Sequence, residues 1–227
     1  MKPEITTIHF DGLLGYGVNC YLLKIDEGFI LIDTAVSSRC TGVEKNLENA
    51  GCRPGNLKLI LLTHGHGDHT ANCVYLRNKF GSPIAMHQGD LEIVERKHVM
   101  SALERAITRF MGWIAGVGEV EAFTPDIFLE DGQSLAAYGL DAKVIHIPGH
   151  SNGSIGILMA DGDLFCGDVF VNVKKPAQHT IVTNAAALKA SIEKLKSADI
   201  RQVYPGHGRP FHWDTFLMQE YNNATNA

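Results

Sequence analysis

The stretch LKLILLTHGHGDHTAN, residues 57–72, ends an apolar run with His64, His66, Asp68 and His69 inside six positions. Imidazoles and a carboxylate this dense point to a cation. Side chains at i and i+2 of an extended segment face the same way, so His64 and His66 can grip one metal from a strand end. Asp68 and His69 are adjacent and differ in parity; where the strand gives way to a helix they can turn toward a second metal beside the first. Neutral imidazole suits zinc, iron, nickel or copper, and the carboxylate makes the set harder without excluding any of them.

Four side chains cannot close two sites, so further donors must come from distant chain. Three apolar strands finish on a candidate: AKVIHIPGH at His150, DLFCGD at Asp168 and RQVYPGH at His207. Pro-Gly ahead of His150 and His207 is expected to turn the chain sharply and aim each imidazole into a cleft outside the sheet. A lone H-x-H recurs by chance, whereas H-x-H-x-D-H followed by three such strand ends does not. His9, His87, His98, His146, His179 and His212 lack this context and are expected to be surface or satisfied core residues. His146 is parted from His150 by the turn at Pro148-Gly149, and His179 falls in the loop after Asp168, within reach of substrate at most.

The elements that must position these residues follow from periodicity. ITTIHF, CYLLKI and FILIDT read as strands, 40–50 as a helix ending near Gly51, and LKLILLTH as a buried strand. A helix is expected from about His69, a short strand IAMH after Ser82-Pro83, and a helical segment over roughly 89–111 with Leu91, Val94, Leu103, Ile107, Phe110 and Met111 at helical spacing. After Pro125 the runs IFLEDGQSL, AKVIHIPG, SIGILMA and DLFCGDVF, punctuated by Asp-Gly and Gly turns, read as hairpin strands. A helix over 185–197, a strand around RQVYPG and a helix from Trp213 follow. Strands in runs with helices outside them predict an α/β (α+β) fold of two packed sheets covered by helices, not a doubly wound parallel sheet.

A chain of 227 residues suits a single domain over 1–227, with a helical insertion near 88–118. Twenty basic against 25 acidic residues, and no basic cluster beyond Lys174-Lys175, exclude the electrostatic footprint of a nucleic-acid binder and favour a small-molecule substrate. MKPEITTIHF has no apolar core of a signal peptide, and no run reaches about 18 apolar residues, so a cytoplasmic protein without membrane spans is expected. Five cysteines without a C-x-x-C pair read as buried free thiols in a reducing compartment.

THGHGDHT, GHSNGS, FCGD and PGHG, in this order and preceded by NCYLL, resemble the metallo-β-lactamase-fold hydrolase superfamily over residues 17–207. The resemblance implies a four-layer αββα sandwich of two mixed sheets flanked by helices, with a dinuclear metal site at one edge. Carried over by position, it assigns His64, His66 and His150 to the first metal, Asp68, His69 and His207 to the second, and Asp168 to the bridge. It implies two Zn2+ ions, with Fe or Mn as alternatives, a metal-bridging hydroxide as nucleophile, and Asp68 as both ligand and general acid/base.

Departures from the branches of that superfamily narrow the substrate. Dedicated β-lactamases typically carry Cys or Ser where Asp168 stands, and lactonases often place a Tyr three residues after the bridging Asp, here Val171. Glyoxalase II enzymes add a long helical domain after the last histidine, flavodiiron proteins replace His66 by Glu, and nucleic-acid-processing members carry extensions. What is expected is a hydrolase of small esters, thioesters or lactones. The apolar segment 88–118, with Phe110, Met111 and Trp113, and the GLLGYGVN loop at 12–19 are the candidate pocket walls; packing into the core or a homodimer interface is the alternative for the three side chains. A rival chemistry is a sulfur (persulfide) dioxygenase with one Fe(II) on His64, His150 and Asp168. A non-catalytic metal protein is a third reading.

Overall fold

Apolar residues fill consecutive positions of the main strands, not alternate ones, because each sheet is covered on both faces. The computed structural model describes residues 2–12, 17–95 and 120–225. In β2 (Val18–Ile25), β3 (Gly28–Ile32) and β4 (Leu57–Leu61), one parity, Tyr21, Leu23, Ile30, Ile32, Leu59 and Leu61, points into a core between the sheets. The other parity, Leu22, Leu31 and Ile60, packs on α1 (Cys40–Asn49) and α3 (Cys73–Phe80) through Val43, Leu47, Leu76 and Phe80. A third core sets Ile145, Leu158 and Leu164 against Leu188, Ile192 and Leu195 of α5 (Ala185–Lys196) and Phe216 of α6 (Trp213–Thr225). Three cores separate four layers, helix, sheet, sheet, helix.

The first sheet runs β1 (Glu4–Phe10), β2, β3, β4, β5 (Ile84–Met86), β6 (Ile127–Phe128), antiparallel through β3 and parallel thereafter. The second is ordered β12 (Phe211–His212), β11 (Gln202–Gly208), β9 (Asp163–Asn172), β8 (Ile155–Met159), β7 (Ala142–His146), with β10 (Ala177–Gln178) also on β9. Only β9 and β11 pair parallel in it, so both sheets are mixed, as expected. No described helix is long and apolar enough to cross a membrane.

Several expected elements differ in extent. IFLEDGQSL forms the two-residue β6 and an isolated bridge at Ser134, because its polar Glu130-Asp131-Gly132-Gln133 makes a turn closed by Gln133 N–H to Glu130 O, 3.2 Å. Of the segment 89–111, a 3-10 turn at Gln88–Asp90 and α4 (Leu91–Val94) are described; the rest of the 88–118 insertion, with His98, Phe110, Met111 and Trp113, lies outside the described residues, as do 13–16 of the glycine-rich loop. All five cysteines are free; four are buried and Cys40 is half-buried. Burial pushes the Cys166 thiol far up, which removes it as a nucleophile at neutral pH.

Candidate metal centre

The loop after β4 carries His64 and His66, and the chain then enters α2 (Gly67–Thr70), which holds Asp68 and His69. His66 keeps an extended backbone, φ −71° and ψ 148°, so the change of direction expected between the two pairs occurs at the helix start. His150 lies four residues beyond β7. Asp168 and His207, expected at strand ends, instead lie within β9 and β11, where the parallel register slips between Tyr204 and Pro205 and again before His207. The irregularity brings both side chains to one edge of the sandwich. Gly149 has φ 140°, the turn expected before His150. Gly206 serves differently: a Cβ there would overlap Asp168 Oδ1 and lie 2.6 Å from His69 Cε1, so its use is close approach.

Two adjacent donor groups result, His64 with His66 and His150, and Asp68 with His69, Asp168 and His207, each able to hold a metal ion. In the second, His207 Nε2 is 3.1 Å from Asp168 Oδ2 and 3.3 Å from Asp68 Oδ2; His69 Nε2 is 3.4 Å from Asp168 Oδ1 and 3.6 Å from Asp68 Oδ2. Metal bonds of about 2.0–2.1 Å in a tetrahedron put neighbouring donors about 3.3 Å apart, so the spacing fits a metal. Asp168 Oδ2 is also 3.6 Å from His150 Nε2, between the groups. In the first, His66 Nδ1 and His150 Nε2 face each other at 2.8 Å.

Hydrogen bonds on the far side of each ring set which nitrogen is free. His69 Nδ1 donates to Asp33 Oδ2 at 2.9 Å, His150 Nδ1 to Ile181 O at 2.7 Å and His207 Nδ1 to Gly17 O at 2.8 Å. Thr63 Oγ1 donates to Asp33 Oδ2 at 2.8 Å and is thereby free to accept from His64 Nδ1 at 3.1 Å. Each of these rings therefore turns its Nε2 inward. His64 Nε2, His69 Nε2 and Asp168 Oδ1 are buried without a hydrogen-bond partner, an arrangement that a cation would satisfy.

Electrostatics separates the groups. Burial holds His64 well below the usual histidine range and His150 down to about 4. Burial also works against charge on His207, but the Asp168 and Asp68 carboxylates outweigh it and push that ring up to about 10. His69 is raised for the same reason, against its burial, and Asp68 is held down to about 2 by His69 and His207 despite its own burial.

Two residues that organise the centre, Asp33 and Asp90, escaped the sequence reading, and a third, His179, was placed only within reach of substrate. Asp33 takes Thr63 N–H and Oγ1–H as well as His69, and its φ of 59° is a left-handed strain. Its signal was present, since FILID is an apolar strand ending in a carboxylate. Fully buried Asp90 accepts from Gly65 N and Ser151 Oγ at 2.7 and 2.6 Å and from Gly153 N at 2.6 Å, tying the His64–His66 loop to the His150 loop; nothing in QGD announces that. His179, expected to be a surface or satisfied core residue, is buried with its Nε2 3.9 Å from Asp168 Oδ2. The remaining described histidines stay apart from the centre: His9 bonds Asn19, and His87 stacks on His146 at 3.9 Å.

The sequence matches the profile of the Metallo-beta-lactamase superfamily over residues 13–207. The chain belongs to that superfamily. Hydroxyacylglutathione hydrolase GloC of Haemophilus influenzae is 35% identical over 116 residues, half of this chain and half of GloC. Acyl-coenzyme A thioesterase MBLAC2 of Bos taurus is 27% identical over 233 residues, 94% of this chain and 81% of the relative. The crystal structure of TTHA1623 in a di-iron-bound form superposes with a TM-score of 0.69 at 24% identity, covering 91% of this chain and 95% of that one. With these relatives the metallo-β-lactamase-superfamily chain is a metal-dependent hydrolase.

Asn19 and Tyr21, from the NCYLL strand, join the superfamily's two sheets beside the centre. Tyr21 Oη donates to Pro205 O at 2.6 Å, and Asn19 Nδ2 donates to Pro205 O and Gly208 O at 2.9 and 2.7 Å, fixing the strand that carries His207. A cavity of about 540 Å³ opens beside His179 along α5, walled by Val182, Leu188 and Ile192, with Lys189 and Lys196 among its lining residues.

Proposed function

We propose that the chain is a dinuclear-metal hydrolase, with zinc the metal its imidazole-rich donors suit best, that cleaves a thioester, ester or lactone of a small substrate. The observation that carries this reading is the pair of donor groups meeting at Asp168, one oxygen of which lies 3.6 Å from His150 Nε2 and 3.1 Å from His207 Nε2. An oxygenase with one iron needs only His64, His150 and Asp168. That Asp68, His69 and His207 keep metal spacing as well supports two ions. The names of GloC and MBLAC2, both thioester hydrolases, favour a thioester within the class.

Metals held there would supply Lewis acidity, bringing the pKa of water from ~15.7 toward about 7 and polarising the scissile carbonyl. The chain's own residues do the rest. Asp33, Thr63, Ile181 and Gly17 hold four imidazoles in the tautomer that faces inward. Asp68, 29% exposed at its side chain, is the most open donor of its group and so the carboxylate suited to orient the attacking water and carry its proton to the leaving group. The cavity along α5 is within the usual size of small-molecule pockets and can seat an acyl chain or a thiol leaving group on Leu188 and Ile192.

The test is elemental analysis of protein purified without chelators or added metal, followed by a thioester, ester and lactone panel. Near two zinc per chain with turnover of one class is the expected result. About one iron per chain, with oxygen uptake on persulfides, would overturn it; the di-iron form of TTHA1623 makes two irons a variant to be distinguished by replacing the metal.

A further inference from the structure

His179 reaches the centre from the segment after β10. Its ring centroid lies 4.8 Å from that of His150 and 6.2 Å from that of His207. Proximity alone would make it a donor to metal, with His150 and Asp168. The backbone of Ile181 argues against this. Its N–H donates to His179 Nδ1 at 3.0 Å, so that nitrogen holds a lone pair and the ring proton sits on Nε2. Its carbonyl accepts from His150 Nδ1 at 2.7 Å, which leaves His150 Nε2 as the lone pair. One residue thus sets two neighbouring imidazoles in opposite tautomers. A proton on His179 Nδ1, aimed at the same carbonyl 3.2 Å away, would meet the Ile181 N–H donor to donor and leave that amide without an acceptor.

We infer that His179 is a hydrogen-bond donor to substrate at the metal centre and not an eighth ligand, its Nε2–H taking the oxygen of the scissile acyl group or of the carboxylate product. The 3.9 Å to Asp168 Oδ2 is beyond hydrogen-bond reach, so the donor is not spent on that carboxylate. His179 also lines the α5 cavity, so a molecule seated on Leu188 and Ile192 lies beside its ring. No proton is transferred. The bond strengthens as the carbonyl oxygen gains negative charge, which is how an oxyanion donor lowers a barrier. This inference rests on the hydrolase reading for the identity of the acyl group.

The experiment pairs His179→Phe, which removes the donor and keeps a flat ring, with His179→Gln, which keeps a donor. Metal per chain, Tm, and kcat and KM on the butanoyl thioester of N-acetylcysteamine are measured for each. Unchanged metal content, a kcat about 10²-fold lower in the Phe variant with KM within a few-fold, and partial recovery in Gln are expected. Loss of metal, or weaker retention against a chelator, would make His179 a ligand and overturn the inference, as would an unchanged kcat. Long-range 1H–15N NMR of the metal-loaded wild type supplies a readout free of turnover. A proton on His179 Nε2 that shifts on adding butanoate is expected; a proton on Nδ1, or no shift with saturating butanoate, overturns the inference. Wild-type inactivity across all thioesters, esters and lactones sinks the hydrolase reading instead, and the NMR and metal results still decide the donor.

Discussion

The two halves of the centre are built on opposite electrostatic plans. His64, His66 and His150 form a group without a carboxylate of its own, in which burial favours the neutral rings of His64 and His150 and holds His150 down to about 4. Asp68, His69, Asp168 and His207 form a group in which carboxylates overcome burial and hold His207 up to about 10. His64 and His150 can accept a cation without giving up a proton; His69 and His207 must shed protons to do so. The same side chain, placed a few ångströms away, is prepared for metal in one case and competes with a proton in the other.

The most disruptive way to break the contrast is Asp168→Ala, which removes the oxygen shared by both halves. Elemental analysis should show less than one metal per chain, and activity should fall by at least ~10³-fold; retention of two metals would refute the bridge. Asp68→Asn should be gentler on metal and severe on chemistry: most of the metal stays, while activity per bound metal drops about 10²- to 10³-fold. Equal activity per metal would remove Asp68 from proton handling.

Proton bookkeeping sharpens the comparison. Titrating metal into metal-free protein near pH 7, by calorimetry in two buffers of different ionisation enthalpy, should release almost no protons from His64 and His150 and one or more from His69 and His207. Because protons and metal compete for the raised rings, affinity at the second half should fall about tenfold per pH unit for each proton released, while the first half holds to lower pH. Equal release for both ions would erase the distinction. The smallest effect is expected at Asp90, which touches only the first half. Asp90→Ala leaves Gly65 and Gly153 N–H groups without their acceptor and should cost about 2–4 kcal/mol, read as a lower Tm, with looser binding at His64, His66 and His150.

Much of this architecture was legible because it is written in residue type and period. Runs such as CYLLKI and FILID announce strands buried on both faces, and Leu188, Ile192 and Leu195 recur at the interval that lays one face of α5 on the second sheet. The parity of His64 and His66 against Asp68 and His69 foreshadowed two groups, and both assemble among the described residues. His179 was legible only as a loop residue within reach of substrate, because no period or flanking motif marks its neighbours as Asp168 and His150. Asp90 was not legible at all, since its partners Gly65 and Gly153 are brought to it by two separate loops.

The sequence by itself determined which residues offer donors, which strands they follow or belong to, and that two sheets must share a core, because side-chain chemistry and hydrophobic period are local properties. Only the tertiary structure decided which nitrogen each imidazole presents and how firmly it holds a proton. Those depend on a backbone carbonyl at Gly17 or Ile181, an amide at Ile181 and carboxylates at Asp33, Asp68 and Asp168, all within a few ångströms of rings far from most of them along the chain.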